Sequence, residues 1–165
     1  MKVIFLDIDG VLCVTMKALG RDKFGYLFDQ HLVDELQRVV DATGAKIVIS
    51  STWRILNGVD GMKEMWKLRG LPGEIIGVTP DCVELVREGD FEYYDRVERG
   101  HEIQQWIDQN PEITSYVIID DDNDMLQSQQ ERFVHTIGNG WSDKDSLGLI
   151  TERADNAIQI LNTPL

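Results

Sequence analysis

Apolar residues in this chain gather into short runs, each cut off by polar residues with chemical potential. Val3–Leu6, Lys46–Ile49 and Tyr116–Ile119 are the clearest such runs. A continuous apolar run of this length suits a strand covered on both faces, as in the middle of a parallel sheet. Glu74–Val78 and Phe133–Ile137 are candidates for further strands. Between the runs the period changes to that of helices. Leu32, Leu36, Val39 and Val40 form an i, i+4, i+7, i+8 stripe, predicting a helix from an Asp29 N-cap to about Thr43, with Gly44 as its stop. Residues 61–70 predict a short helix closed by Gly70, and Gly100–Gln109 a helix with Ile103, Trp106 and Ile107 on one face. A last helix is expected from about Ser142 to Leu161, while 13–28 read as irregular and 79–98 as polar loop. Strands alternating with helices at this spacing imply an α/β fold with a parallel sheet and right-handed crossovers.

The chain has 165 residues, enough for one domain with a full core and short for two, so 1–165 is expected to be a single domain. Within it, 13–28 offers a flap and 55–98 room for a small insertion. Net charge is −13, from 16 basic against 29 acidic residues, which disfavours a broad grip on free polyanions but leaves room for a local basic pocket. Cys13 and Cys82 have no metal-ligand spacing and suggest a reducing compartment without a disulfide framework. The apolar run before Asp7 is only four residues, too short for a signal peptide, and no window reaches the length of a membrane span. These features predict a cytoplasmic protein without membrane attachment.

Three apolar runs end in loaded sequences: Asp7-Ile8-Asp9-Gly10, Ser50-Ser51-Thr52-Trp53-Arg54, and Asp120-Asp121-Asp122-Asn123-Asp124. In a parallel sheet those ends share one edge, where open α/β sheets place their ligands. Asp7 and Asp9 cost stability unless something positive joins them, and a hard divalent ion such as Mg²⁺ prefers carboxylates with phosphate and water. Gly10 permits a tight turn that brings backbone N–H groups near an anion. Each piece alone has an ordinary reading. A Ser-Thr cluster is commonly a helix cap, and Arg54 or Arg99 could be surface ion-pair partners. Trp53, Trp66, Trp106 and Trp141 read first as packing residues, with Trp53 also a candidate for the site mouth. An acidic turn, however, seldom needs four carboxylates among five residues, as at 120–124.

Taken together, these motifs resemble the haloacid dehalogenase (HAD) superfamily of aspartate-nucleophile phosphotransferases. The first motif is Asp7-Ile8-Asp9-Gly10-Val11, the second the serine after Lys46-Ile-Val-Ile, and the fourth Ile118-Ile119-Asp120-Asp121-Asp122-Asn123-Asp124. More narrowly, Ser-Ser-Thr-Trp-Arg, Arg99-Gly-His-Glu-Ile-Gln-Gln-Trp and the acidic run resemble the small HAD domains of bacterial and phage RNA-repair proteins. The resemblance implies a Rossmann-like three-layer sheet with minimal or no cap, and a Mg²⁺-dependent phosphomonoesterase. It implies Asp7 as nucleophile and Asp9 as general acid and base. Mg²⁺ would be held by Asp7, the carbonyl of Asp9, and Asp121 or its neighbour Asp120, with Asp124 behind them. Ser51, or Ser50 if the register shifts, would bind phosphate with Gly10. The cation of the third motif would be Arg99, with Arg54 in reserve.

Only about 40 residues separate Asp9 from Ser50, so the site is expected to be open or lightly lidded, or shielded by another copy of the chain. A nucleotide and a nucleic-acid terminal phosphate are both open as substrates. A phosphotransferase to a non-water acceptor and a non-catalytic binding module are the alternatives to hydrolysis.

Overall fold

The computed structural model describes residues 1–14, 20–89, 91–136 and 147–165. Its centre is a parallel sheet of five strands: β1 (Lys2–Leu6), β4 (Lys46–Ile49), β5 (Ile75–Val78), β8 (Ser115–Asp120) and β9 (Phe133–His135), in the order β5-β4-β1-β8-β9. The expected strands are all present. β1 is the middle strand because every residue from Val3 to Leu6 is apolar and fully buried. Ile4 and Leu6 join a core with Ile47, Ile49, Val117 and Ile119, whereas Val3 and Phe5 join a second core with Val48, Tyr116 and Ile118. Alternate side chains thus feed two opposite layers, which is why the run shows no polar alternation.

On one face pack α1 (Gln30–Thr43), through Leu32, Leu36 and Val39, and α4 (Thr151–Leu161), through Ala154, Ala157 and Leu161. α2 (Trp53–Leu68) adds Met62, Met65 and Trp66 to the same core. α3 (Arg99–Asp108) covers the other face with Ile103 and Trp106. Gly44 ends α1 in the left-handed conformation (φ 66°), its N–H donating to Val40 O at 2.8 Å. Asp29 stands at the N-cap position as expected, and its carboxylate accepts from Val14 N–H at 2.9 Å, pinning the loop after β1 to the helix.

Several boundaries differ from expectation, each for a local reason. α2 begins at Trp53 rather than 61 because a short helical stretch precedes the expected one, the two being divided by a kink at Gly58, whose φ 63° and ψ 179° are not helical. The irregular stretch 13–28 contains a small antiparallel pair, β2 (Arg21–Asp22) with β3 (Gly25–Tyr26). Arg69 holds this hairpin down: it pairs with Asp22 at 2.7 Å and lies over the Phe28 and Trp53 rings at 4.6 and 5.7 Å. The expected loop 79–98 is instead an antiparallel ribbon of β6 (Val83–Glu88) and β7 (Phe91–Arg96). Alternating β-branched, aromatic and charged residues favour extended pairing even where both faces stay wet. The strand expected at Phe133–Ile137 is observed to His135, and Ile137 lies outside the described residues. The C-terminal helix starts at Thr151; of the earlier start, residues 142–146, with Trp141, lie outside the described residues. No described helix is long and apolar enough to cross a membrane.

Phe5 sits edge-on to Trp106 and Tyr116, with centroids 5.6 and 5.8 Å away. Phe5→Ala is expected to cost about 3–5 kcal/mol, read as a lower urea midpoint at unchanged slope.

Candidate active site

The sheet register brings the three motifs level. Leu6 lies opposite Ile49 on one side and Ile119 on the other, so Asp7, Ser50 and Asp120 emerge side by side. Asp7 N–H donates to Ile119 O at 3.0 Å and Ser50 N–H to Leu6 O at 2.9 Å, extending the ladder to the residues that carry the chemistry. Carboxylate oxygens of Asp7, Asp120 and Asp121 lie within 4.8 Å of one another, Asp7 and Asp120 being buried. Such a cluster is unfavourable without a cation.

The protein supplies one cation itself. Arg99, the first residue of α3, donates from Nη1 to Asp7 Oδ1 at 3.0 Å and to Ser50 O at 2.6 Å, with Asp120 Oδ2 3.2 Å away. Its Nη2 lies 3.7 Å from Asp122 Oδ2. Burial opposes its charge, but the surrounding carboxylates of Asp7 and Asp120 outweigh that and hold the guanidinium firmly protonated. Asp124 fixes where Arg99 stands, its carboxylate accepting from Arg99 N–H at 2.9 Å.

One guanidinium does not satisfy the cluster. Asp120 Oδ2 is buried with no aligned hydrogen bond, and burial together with the charge of Asp7 raises the Asp120 pKa well above the ordinary value. Burial and Asp7 likewise push Asp121 up to about 7. Oxygen donors that resist ionising side by side are a fitting set for a hard divalent cation such as Mg²⁺. Gly10 makes the approach of Asp121 feasible. It has φ 70°, and a Cβ there would collide with the Asp121 carboxylate. The loop is further tied by Thr136 Oγ1 donating to Gly10 O (3.0 Å) and by His135 Nε2, which lies 2.8 Å from Asp121 O.

Asp9 is more open than Asp7, and its Oδ2 accepts from Trp53 Nε1–H at 2.9 Å. Burial raises its pKa, with Asp7 adding to the rise, while the Trp53 hydrogen bond pulls the other way. The indole thus orients the carboxyl group, a role that residue spacing does not reveal, since 44 positions separate the two.

The structure brings Asp7, Asp9, Gly10, Arg99, Asp120 and Asp121 to one place, with Asp124 immediately behind. The Ser50 hydroxyl is buried without a hydrogen-bond partner, and Ser51 Oγ accepts from Trp53 N–H at 3.4 Å. Both serines therefore stay candidates for a phosphate oxygen. Arg54 is arranged otherwise than expected. It is 5% exposed; Nε donates to Thr79 O (2.9 Å), Nη1 to Ser50 O (3.1 Å) and Ser51 O (2.8 Å), and Nη2 to Pro80 O (2.9 Å) and Glu102. All its donors are engaged, so it clamps the serine loop from below and has none left for phosphate. Glu102, which the sequence reading missed, completes the clamp by accepting from Cys82 N–H at 2.9 Å. Its i+3 spacing from Arg99 suggests a pair within the helix, whereas its partner is Arg54, 48 positions away, so no local signal marked the clamp.

A family model described as the HAD domain in Swiss Army Knife RNA repair proteins matches residues 3–145. The chain belongs to this HAD family. HAD domains are generally phosphatases, and they usually use Mg²⁺. No curated protein matches the chain. The matched span of the HAD domain contains all three loaded strand ends and Arg99.

The raised pKa values of Asp120 and Asp121 predict how stability should respond to pH and to a metal. Asp121 titrates near 7 in the folded protein and near 4 when unfolded, so in between the fold holds more protons than the unfolded chain. Stability of the metal-free protein should therefore fall as pH rises through that window, with Asp120 acting in the same direction. A divalent ion held by the ionised cluster should raise the melting temperature at about pH 8 by several degrees and much less at about pH 5. Equal shifts at both pH values, or none, in differential scanning fluorimetry would exclude this cluster as the metal site.

Proposed function

We propose that this HAD domain is a Mg²⁺-dependent phosphomonoester hydrolase that works through an aspartyl-phosphate, on a nucleotide or a nucleic-acid terminal phosphate. The observation that carries the reading is the meeting of Asp7, Asp120 and Asp121 donors within 4.8 Å, with Arg99 hydrogen-bonded to Asp7 at 3.0 Å. The family's association with RNA repair supports a nucleic-acid end as substrate.

In this mechanism an Asp7 oxygen attacks phosphorus while the ester P–O bond breaks, and Asp9 gives its proton to the departing oxygen. Burial suits Asp9 to that task, because it favours the protonated form. Asp9, now a carboxylate, then takes a proton from the water that attacks the aspartyl-phosphate, which releases phosphate and restores Asp7. Asp7, the Asp9 carbonyl and Asp121, with Asp120 beside it, would hold Mg²⁺, which supplies charge neutralisation for the phosphoryl oxygens. Arg99, the Gly10 turn and a hydroxyl of Ser51 or Ser50 would share the remaining oxygens. Arg54 takes no part in this scheme beyond shaping the loop.

Asp7→Asn is expected to reduce phosphate release from an aryl phosphate at least ~10³-fold with the thermal transition kept, and retained turnover would refute the mechanism. Asp9→Asn should still form phosphoenzyme from a good leaving group but lose it slowly, visible as a burst without steady turnover. Trp53→Phe removes the hydrogen bond that favours ionised Asp9. The alkaline limb of kcat/KM should then move to higher pH, and an unmoved limb would separate Asp9 from the proton transfer.

A further inference from the structure

The ribbon β6–β7 is exposed along almost its whole length, and the catalytic reading leaves it unused. Leu85, Phe91 and Tyr94 are 44%, 78% and 73% exposed on it. Its last residue, Arg96, lines a cavity of about 400 Å³ that also receives Asp9, Trp53, Arg21 and Tyr26. The cavity therefore opens on the side of the carboxyl group assigned to the leaving oxygen, between the β2–β3 hairpin and the base of the ribbon. Aromatic rings and guanidinium groups in one cavity suit a base beside a phosphate.

Strand register divides the ribbon into two unlike faces. Directly paired residues share a face, so one carries Val83 with Arg96, Leu85 with Tyr94, and Arg87 with Glu92. The other carries Glu84, Glu88 and Asp95 among Val86, Tyr93 and Phe91. The first face holds two arginines against one acid; the second holds three acids and no base. On the first face Glu92 offsets Arg87 at 2.8 Å and Asp81 approaches Arg96 at 3.6 Å, so that face is near neutral while the second is acidic. Tyr94 lies two residues from Arg96, about 7 Å along the strand, with its ring exposed between the two arginine rungs.

We propose that this face is a track for a single-stranded polynucleotide whose terminal phosphate is at Asp7. The terminal nucleoside occupies the cavity beside Trp53 and Tyr26, Arg21 and Arg96 face its phosphates, and the next base stacks on Tyr94. The inference rests on the phosphomonoesterase reading for the identity of the reacting end, and it selects a strand over a free mononucleotide. The less acidic face, continuous with the cavity through Arg96, favours this occupant over a second copy of the chain, which brings no terminal phosphate to Asp7.

Fluorescence anisotropy with a labelled single-stranded RNA of about ten nucleotides, phosphorylated at either end, tests the track on the full chain carrying Asp7→Asn. Adding Tyr94→Ala should weaken binding about tenfold, and adding Arg96→Gln should weaken it and lower the salt slope by about one ion. Tyr93→Ala, on the acidic face, should change it less than about twofold. In otherwise wild-type protein, Tyr94→Ala should collapse the ratio of kcat/KM for the oligonucleotide to that for a mononucleotide. Equal affinities for Tyr94→Ala and Tyr93→Ala would overturn the proposal. So would self-association broken by Tyr94→Ala with RNA binding unmoved. Tyr94-dependent RNA binding by a protein that hydrolyses no aryl phosphate would support the track and refute the catalytic reading. Hydrolysis of an aryl phosphate and mononucleotides without RNA binding would do the reverse.

Discussion

Arg99 and the carboxylates around it set the terms for the rest of this site. Asp7, Asp120 and Asp121 are driven together by the geometry of a parallel sheet, whose adjacent strands must end level. Their mutual repulsion in a place with little water is partly offset by a guanidinium 3.0 Å from Asp7 and 3.2 Å from Asp120. What remains is a buried, incompletely satisfied oxygen on Asp120 and a strong bias against ionising every acid at once. The cluster is thus left short of positive charge, which a bound cation would supply.

That arrangement needs a rigid mount, and α3 supplies it. Its first residue is Arg99, whose N–H is held by Asp124 of the fourth motif, while Gln129 donates to Gly100 O at 2.9 Å. One turn on, Glu102 meets Arg54, which in turn holds the carbonyls of both serines. The helix therefore links the acidic loop to the serine loop through two arginines with different duties. Arg99 faces Asp7 and Asp120, while Arg54 is spent on backbone carbonyls and one buried acid. Removing one partner of that buried pair would strand the other's charge, so both ends are constrained.

Residues of both short ribbons line the cavity that holds Asp9. The β2–β3 hairpin rests on Trp53, close enough that a Cβ on Gly25 would meet the indole 2.9 Å away. Trp53 also holds Asp9, so the packing of the flap and the orientation of the acid share one side chain. The β6–β7 ribbon stands on the opposite side of the cavity through Arg96.

The local pattern alone determined the central sheet, the four helices in outline and the acids at the strand ends. Each of these follows from interactions close in sequence or from burial so complete that the residue types admit little else. Arg99, at the head of a helix, was singled out through the family resemblance, and its guanidinium lies 3.0 Å from Asp7. The different fate of Arg54 was not, since a cation beside a serine cluster reads the same whether it faces ligand or carbonyls; only the approach of Thr79, Pro80 and Glu102 decides it. The Trp53–Asp9 hydrogen bond likewise joins residues that chain position leaves unrelated. The ribbon at 83–96 lay hidden because both its faces are solvated, so no buried period marks it, although β-formers flank Gly89-Asp90. Sequence thus determined which chemical groups the sheet edge carries. Tertiary structure decided which of them face one another, because pairing across distant loops depends on direction and distance that no local spacing encodes.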